Sequence, residues 1–274
     1  MQRRNTIFVL IAGLLCAPLA SWAQNPATPA ANANLTTMVL IPGGSFTSGA
    51  PVDLGHQLCK KFHNGNCSRS WFADEQPIHT LILDPFFIDK YEVTQRDFER
   101  VMKRNPSKFK GKILPVDNVT WQEAKTYCQK LGKRLPTEAE WEKASQGGVS
   151  TVYPWGDEFE SGKANFCDQR CSKRWRENQF QDGYEYTAPV GNYPPNGYGL
   201  YDMAGNVYEW VEDWYAKDYY RVRPHKNPKG PASGSKKVMR GGSWINYSVG
   251  VRPADRTDTD PDDRFAFSGF RCAQ

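Results

Sequence analysis

Hydrophobic positions along this 274-residue chain fall into short runs, broken every few residues by Gly, Pro or Asn. Thr37-Met38-Val39-Leu40-Ile41 reads as a strand that ends in a Pro42-Gly43-Gly44 turn, with a second short strand through Ser45 and Phe46. Phe86 to Val93 is a further strand candidate, rich in aromatic and β-branched residues. Helical spacing follows. Thr94 and Asp97 resemble a capping box with Asp in place of Glu, and Phe98, Val101 and Met102 supply one apolar face. Thr120 with Glu123 opens a second helix, whose Ala124, Cys128 and Leu131 share a face and whose end is marked by Gly132. Thr137 with Glu140 opens a third, stopped by Gly147-Gly148. Beyond Val149 no amphipathic helix is legible, only turns and short strands. The pattern predicts an α+β, loop-rich fold with its few helices in the first half.

The first residues form a separate signal. Arg3 and Arg4 precede an apolar run from Ile7 to Leu19 and small residues around Ser21-Trp22-Ala23, the arrangement of a secretory signal peptide cleaved after Ala23. That run is well short of the roughly 20 residues needed to cross a bilayer. Residues 24–36, rich in Pro, Ala and Asn, read as a flexible leader, which leaves one domain over residues 37–274. A periplasmic or secreted protein with no membrane span is expected.

Charge and cysteine content narrow the classes. The formal charge is +5, and loss of Arg3 and Arg4 leaves the mature chain at +3, spread without a basic run, so nucleic-acid binding has no electrostatic support. Six cysteines follow the signal peptide (Cys59, Cys67, Cys128, Cys167, Cys171, Cys272), and an even count in an exported chain favours three disulfides, with fifteen connectivities open. The four histidines, His56, His63, His79 and His225, show no metal-ligand spacing.

The densest chemistry lies in Asn196 to Trp210, where aromatic rings alternate with glycines and the carboxylates Asp202 and Glu209, followed by Arg240-Gly241-Gly242-Ser243-Trp244. Glycine permits backbone turns that aim carbonyls at a common point, and the two carboxylates add hard oxygen ligands, as a calcium-braced turn requires. Together with Met38 to Phe46, Asp74-Glu75-Gln76-Pro77, Tyr91 to Thr94, Lys133 to Glu142, Tyr153 to Gly156 and Gly269 to Cys272, these segments resemble the formylglycine-generating enzyme family of sulfatase-modifying factors. The resemblance implies an elaborated C-type-lectin-like fold over nearly all of the mature chain.

What the resemblance implies for chemistry departs from the family's oxidases at one place. Those enzymes hold a copper ion through two cysteines after the Gly-Gly-Ser motif, positions occupied here by Asn246 and Val251. Copper(I) prefers thiolates, so copper is not expected. Calcium is. One implied site takes Asn165 and Asp182 as side-chain ligands with the carbonyls of Phe166 and Tyr184, and the other takes Asp202 and Glu209 with the carbonyls of Gly205 and Val207. The resemblance further implies a Cys128–Cys272 bridge, and the four cysteines left then pair Cys59 with Cys67 and Cys167 with Cys171. The old active-site region becomes a candidate pocket of Ser243, Trp244, Asn246, Tyr247, Arg252 and Arg256. Its arginines could clamp a carboxylate while Trp244 and Tyr247 stack on a ring; alternatively Arg256 pairs with Asp255 or Asp258 and the rings fill core. The family's sulfoxide-forming iron enzymes join this fold to a helical domain, for which no stretch is left here. Relatives without the copper cysteines include accessory proteins of pyoverdine maturation and of nitrite-reductase gene clusters. The expectation is a periplasmic maturation factor acting on an exported protein or peptide-derived substrate, oxidoreductase-like if it is an enzyme. A lectin-like binding module for a protein, peptide or glycan, and an atypical formylglycine oxidase, are the alternatives.

Overall fold

The computed structural model describes residues 38–62 and 66–274. The expected signal peptide and leader lie outside the described residues.

Strand β1 (Met38–Ile41) pairs antiparallel with β4 (Phe86–Asp89), and β2 (Gly44–Ser48) with β3 (His79–Leu83), so the first turn predicted from Pro42-Gly43-Gly44 separates two different two-stranded sheets. The third sheet is the centre of the molecule. It has the order β7 (Thr257–Thr259), β6 (Lys237–Arg240), β5 (Tyr208–Trp214), β8 (Ser268–Gly269), with only β5 and β8 parallel. Side chains leave successive positions of a strand on opposite faces. Trp210 of β5 and Met239 of β6 therefore join a core with Phe98, Tyr127, Leu135 and Phe270, while Val211 and Val238 join another with Leu81, Ile88, Trp141 and Ala144.

Helices α2 (Gln95–Met102), α3 (Trp121–Lys130) and α4 (Glu138–Gln146) start where their caps predict. Thr120/Glu123 and Thr137/Glu140 form complete reciprocal capping boxes, and Gly147 ends α4 at φ 66°. At Thr94 the hydroxyl accepts from the Asp97 backbone N–H, but the Asp97 carboxylate turns to the Thr94 hydroxyl instead of the Thr94 backbone. Asp lacks the methylene that lets Glu reach back, so only half the box forms. The predicted strand Phe86–Val93 ends at Asp89, because Val93 bonds instead to Phe270 and Val116.

An eleven-residue helix, α1 (Val52–Phe62), went unread in the sequence. Its buried stripe includes Gly55, a poor helix former, and a Cβ there would come 2.5 Å from the Phe72 ring. Close packing against the 3-10 segment Arg69–Glu75, together with the Cys59–Cys67 disulfide, holds it in place. Beyond α4 the described residues hold one further α-helix, α5 (Tyr219–Val222), and a 3-10 segment at Ser248–Val251, each four residues long, in line with the turn-rich second half.

The last residues close the structure. Gln274 exchanges both backbone bonds with Phe87, Ala273 does the same with Arg134, and Cys272 is bridged to Cys128 of α3 across 144 residues. Cys167–Cys171 completes the three disulfides. Loop closure in the unfolded chain costs more for longer loops. Replacing both Cys128 and Cys272 by Ala should lower unfolding free energy by about 5 kcal/mol, against about 2.5 kcal/mol for the Cys59/Cys67 pair. Urea denaturation of the two variants checks this, and equal losses would contradict it.

Candidate functional site

The turn after β6 fixes the face that the sequence singles out. Gly241 and Gly242 have φ of 91° and 70°, and a Cβ on Gly242 would strike the Gly250 carbonyl at 2.4 Å. The backbone therefore folds tightly enough to place Ser243 beside Asn246. Ser243 Oγ donates to Asn246 Oδ1 (2.7 Å), and Asn246 Nδ2 donates to the Tyr208 hydroxyl (2.7 Å). Val251 is fully buried. Burial, with Asp255 nearby, holds the Tyr208 phenol far above its ordinary range, so it stays protonated.

Aromatic rings wall this polar row. Trp244 donates from its indole to the Ala266 carbonyl (3.0 Å) and stands edge-on to Phe109 and Tyr186, which stack on each other at 4.2 Å. On the other side Trp175, 39% exposed, donates its indole N–H to the Ile245 carbonyl (2.8 Å) and meets Tyr247 at 6.4 Å. Phe109, Tyr186, Asn246 and Tyr247 are all partly exposed. The structure thus brings together Ser243, Trp244, Asn246 and Tyr247, and adds Tyr208, Phe109, Tyr186 and Trp175. Only Tyr208 had a local signal, its place in the glycine-rich motif.

Arg252 and Arg256 do not belong to this face as a clamp. Arg252 forms a bidentate pair with Glu75 (2.7 and 2.9 Å) and is 1% exposed. Arg256 forms one with Glu138 (2.6 and 3.1 Å) and donates to the Asp74 carbonyl. A desolvated guanidinium needs its carboxylate, and these partners come from the first half of the chain rather than from Asp255 or Asp258 as expected for Arg256. Arg252 also contributes to a separate cavity of about 310 Å³ with Gly49, Gln146 and Asp157.

The first expected calcium set is gathered in one place. Asp182 accepts from the backbone N–H of Phe166 (2.8 Å) and Tyr184 (2.9 Å), and Asp168 accepts from the Asp182 N–H. Burial, followed by the neighbouring Asp168, raises the Asp182 carboxyl to about 7. Asn165 Oδ1 is buried without a hydrogen-bond partner among the described residues. Two buried carboxylates, no cation paired with either and an orphaned amide oxygen form an all-oxygen set that suits Ca²⁺. The second set is differently disposed. Glu209 takes Arg271 Nε and Nη2 and the Trp141 indole (2.7 to 2.9 Å), whereas Asp202 Oδ1 has no hydrogen-bond partner among the described residues. Glu92, Asp202 and Glu209 surround the single Arg271 guanidinium, and burial with its two acidic neighbours pushes Glu92 well above the carboxylate range. The sets adjoin: Asn165 bridges Gly205 in the backbone, and its Nδ2 donates to Asn206 Oδ1 (3.1 Å).

A scaffold of three short sheets and irregular loops presenting a Gly-Gly-Ser turn defines a formylglycine-generating-enzyme-like protein. The sequence signature of the sulfatase-modifying factor enzyme 1-like domain matches residues 23–274, and the chain belongs to that family. It is 32% identical over 315 residues to the formylglycine-generating enzyme of Streptomyces coelicolor, covering 94% of this chain and 96% of that one. It is 36% identical over 269 residues to the serine/threonine-protein kinase pkn1 of Chlamydia pneumoniae, where 88% of this chain spans only 38% of the relative's length. Among solved structures it is similar to PvdO from Pseudomonas aeruginosa, with 30% identity and a TM-score of 0.70, over 86% of this chain and 93% of that one.

Glu177 lies beneath Tyr247. It is 2% exposed, receives Ser248 N and Oγ on one oxygen and has no partner among the described residues on the other. Burial lifts its carboxyl to about 7. A raised folded-state value means that the folded protein holds the proton more tightly than the unfolded chain. Its stabilisation is complete below about pH 4.5 and is lost as pH rises through 7. Glu177→Gln should flatten that decline, a difference of roughly 2 kcal/mol between pH 5 and 7.5. Denaturation curves across that range check it, and an unchanged slope would refute it.

Proposed function

We propose that the chain is an exported accessory factor that engages a protein or peptide-derived substrate on the aromatic face around Asn246, without two-cysteine copper oxidation. The carrying observation is the Ser243–Asn246–Tyr208 row. Where the oxidases' first copper cysteine is expected stands an amide already bonded on both sides, and where the second is expected stands buried Val251. The six cysteines of the described residues are all bridged, so no thiolate is left to serve as a soft ligand. The same row favours a binding role over catalysis, since Ser243 Oγ bonds the Asn246 amide and not a base, and every cysteine among the described residues is bridged. A photoreactive phenylalanine analogue placed at Tyr247 should capture a discrete exported polypeptide in cells. Capture no different from that of the same analogue at exposed Val222 would refute the reading.

Calcium is proposed as a structural brace. Asn165 and Asp182, with the carbonyls of Phe166 and Tyr184, would hold one ion, and Asp202, Glu209, Gly205 and Val207 the second. The first would offset the charge of Asp182 and the second that of Asp202, Glu209 being already paired with Arg271, and both would order loops that bury little apolar surface. Each ion present at 100 times its dissociation constant adds about 2.7 kcal/mol, so EGTA should lower the Tm by at least about 5 °C, the loss of one ion, and by about twice that when both leave. Excess Ca²⁺ should restore it where Mg²⁺ does not, and Asp182→Asn should reduce the EGTA response. A Tm unaffected by EGTA would refute the brace.

A further inference from the structure

The near-even spread of charge along the chain conceals a local concentration. Arg170, Lys173, Arg174 and Arg176 fall within seven residues, and none forms an ion pair among the described residues. The three arginines are exposed and Lys173 is partly so. The acids of the same segment are turned inward: Asp168 is 0%, Glu177 2% and Asp182 9% exposed. Sorting cations outward and carboxylates inward gives this loop a positive outer surface that an ordinary mixed-charge surface lacks.

The loop is also fixed against the candidate site. Cys167 donates its backbone N–H to the Asn246 carbonyl (2.8 Å), the Cys167–Cys171 disulfide clips the turn, and the Trp175 indole is tied to Ile245. Lys173 Nζ lies 6.0 Å from the Trp175 ring centre, and Lys108 Nζ, exposed and without an ion pair among the described residues, lies 5.6 Å from that of Phe109. The cations therefore stand around the rings and the Asn246 row. The positive field is narrow. Glu185 is exposed beside Tyr186, and the segment carrying exposed Glu158 and Glu160 packs behind the loop through Phe159 against Phe180 (4.8 Å).

We propose that this rim, Arg170 to Arg176 with Trp175 within it and Lys108 beside Phe109, docks an acidic peptide segment of the partner polypeptide and delivers the adjoining side chain to Asn246. The inference rests on the functional reading above and adds the substrate's chemical class. Guanidinium groups pair bidentately with carboxylates, and a fixed, exposed Trp offers contact area at small entropic cost. A narrow field bordered by carboxylates suits a short peptide better than a nucleic-acid duplex or a bilayer, both of which need a broad cationic surface.

The test uses the full mature chain and a fluorescent deca-glutamate peptide, read by anisotropy at 50 and 500 mM salt, with a Gly-Ser decapeptide, single-stranded DNA and phosphatidylserine vesicles as comparisons. Deca-glutamate should bind at least about tenfold more tightly than the Gly-Ser peptide and weaken about tenfold at high salt. The variant R170Q/R174Q/R176Q, whose exposed side chains leave folding and Tm intact, should lose about tenfold, and W175A several-fold. Equal binding of the two peptides, an unaffected triple variant, or tighter binding of DNA or vesicles would each overturn the proposal. The two readings fail separately. A polypeptide captured at Tyr247 whose capture is unchanged in the triple variant removes the acidic docking but keeps the function. Deca-glutamate binding without any captured polypeptide does the reverse.

Discussion

Buried guanidinium groups organise this protein more than its apolar clusters do. Arg240, Arg252, Arg256 and Arg271 are between 0 and 7% exposed. Each reaches a carboxylate and, in addition, main-chain carbonyls of irregular segments. Arg271 donates to Tyr201 O (2.8 Å), Arg240 to Pro253 O and Asp255 O (2.8 and 2.6 Å), Arg256 to Asp74 O (2.9 Å) and Arg252 to Val249 O (2.7 Å). A loop-rich chain has many carbonyls with no ladder partner, and leaving such groups dry and unpaired is costly. A planar donor with five N–H groups satisfies several at once, while the desolvation of its charge is met by Glu75, Glu138, Glu142 or Glu209. The pairs are thus less a source of net stability than the means by which turns can be buried at all.

That arrangement explains what was legible in the sequence. Local signals read well: the Thr120 and Thr137 boxes mark their helices to the residue, and the glycine-rich motif runs directly into the central strand. Long-range partners did not. Arg252 finds Glu75 and Arg256 finds Glu138, 177 and 118 residues away, and no periodicity encodes such separations. Helix α1 was missed because its seam contains Gly55, which propensity counts against a helix and tertiary packing on Phe72 requires. The family resemblance carried the fold and the Cys128–Cys272 pairing, and elimination with proximity gave Cys59–Cys67 and Cys167–Cys171. The rings at Phe109, Tyr186 and Trp175, brought to the candidate site from distant loops, had no signal of their own.

The site itself is a surface of substituted parts. The turn that presents Ser243 is intact, and the positions expected to hold thiolates now hold a bonded amide and a core valine. Tyr208 is buried and kept protonated by its surroundings, and its hydroxyl accepts from Asn246. On the proposed reading, recognition rests on shape, aromatic area and a charged edge.

The way the chain closes has a bearing on its manufacture. Phe270 fills the first core, Arg271 neutralises Glu209, Cys272 meets Cys128, and Ala273 and Gln274 complete backbone pairs with Arg134 and Phe87. A nascent chain halted before residue 270 has its central strands but lacks the plug, the counter-charge and the clasp together. These contributions therefore arrive together, with one five-residue segment, and not one at a time.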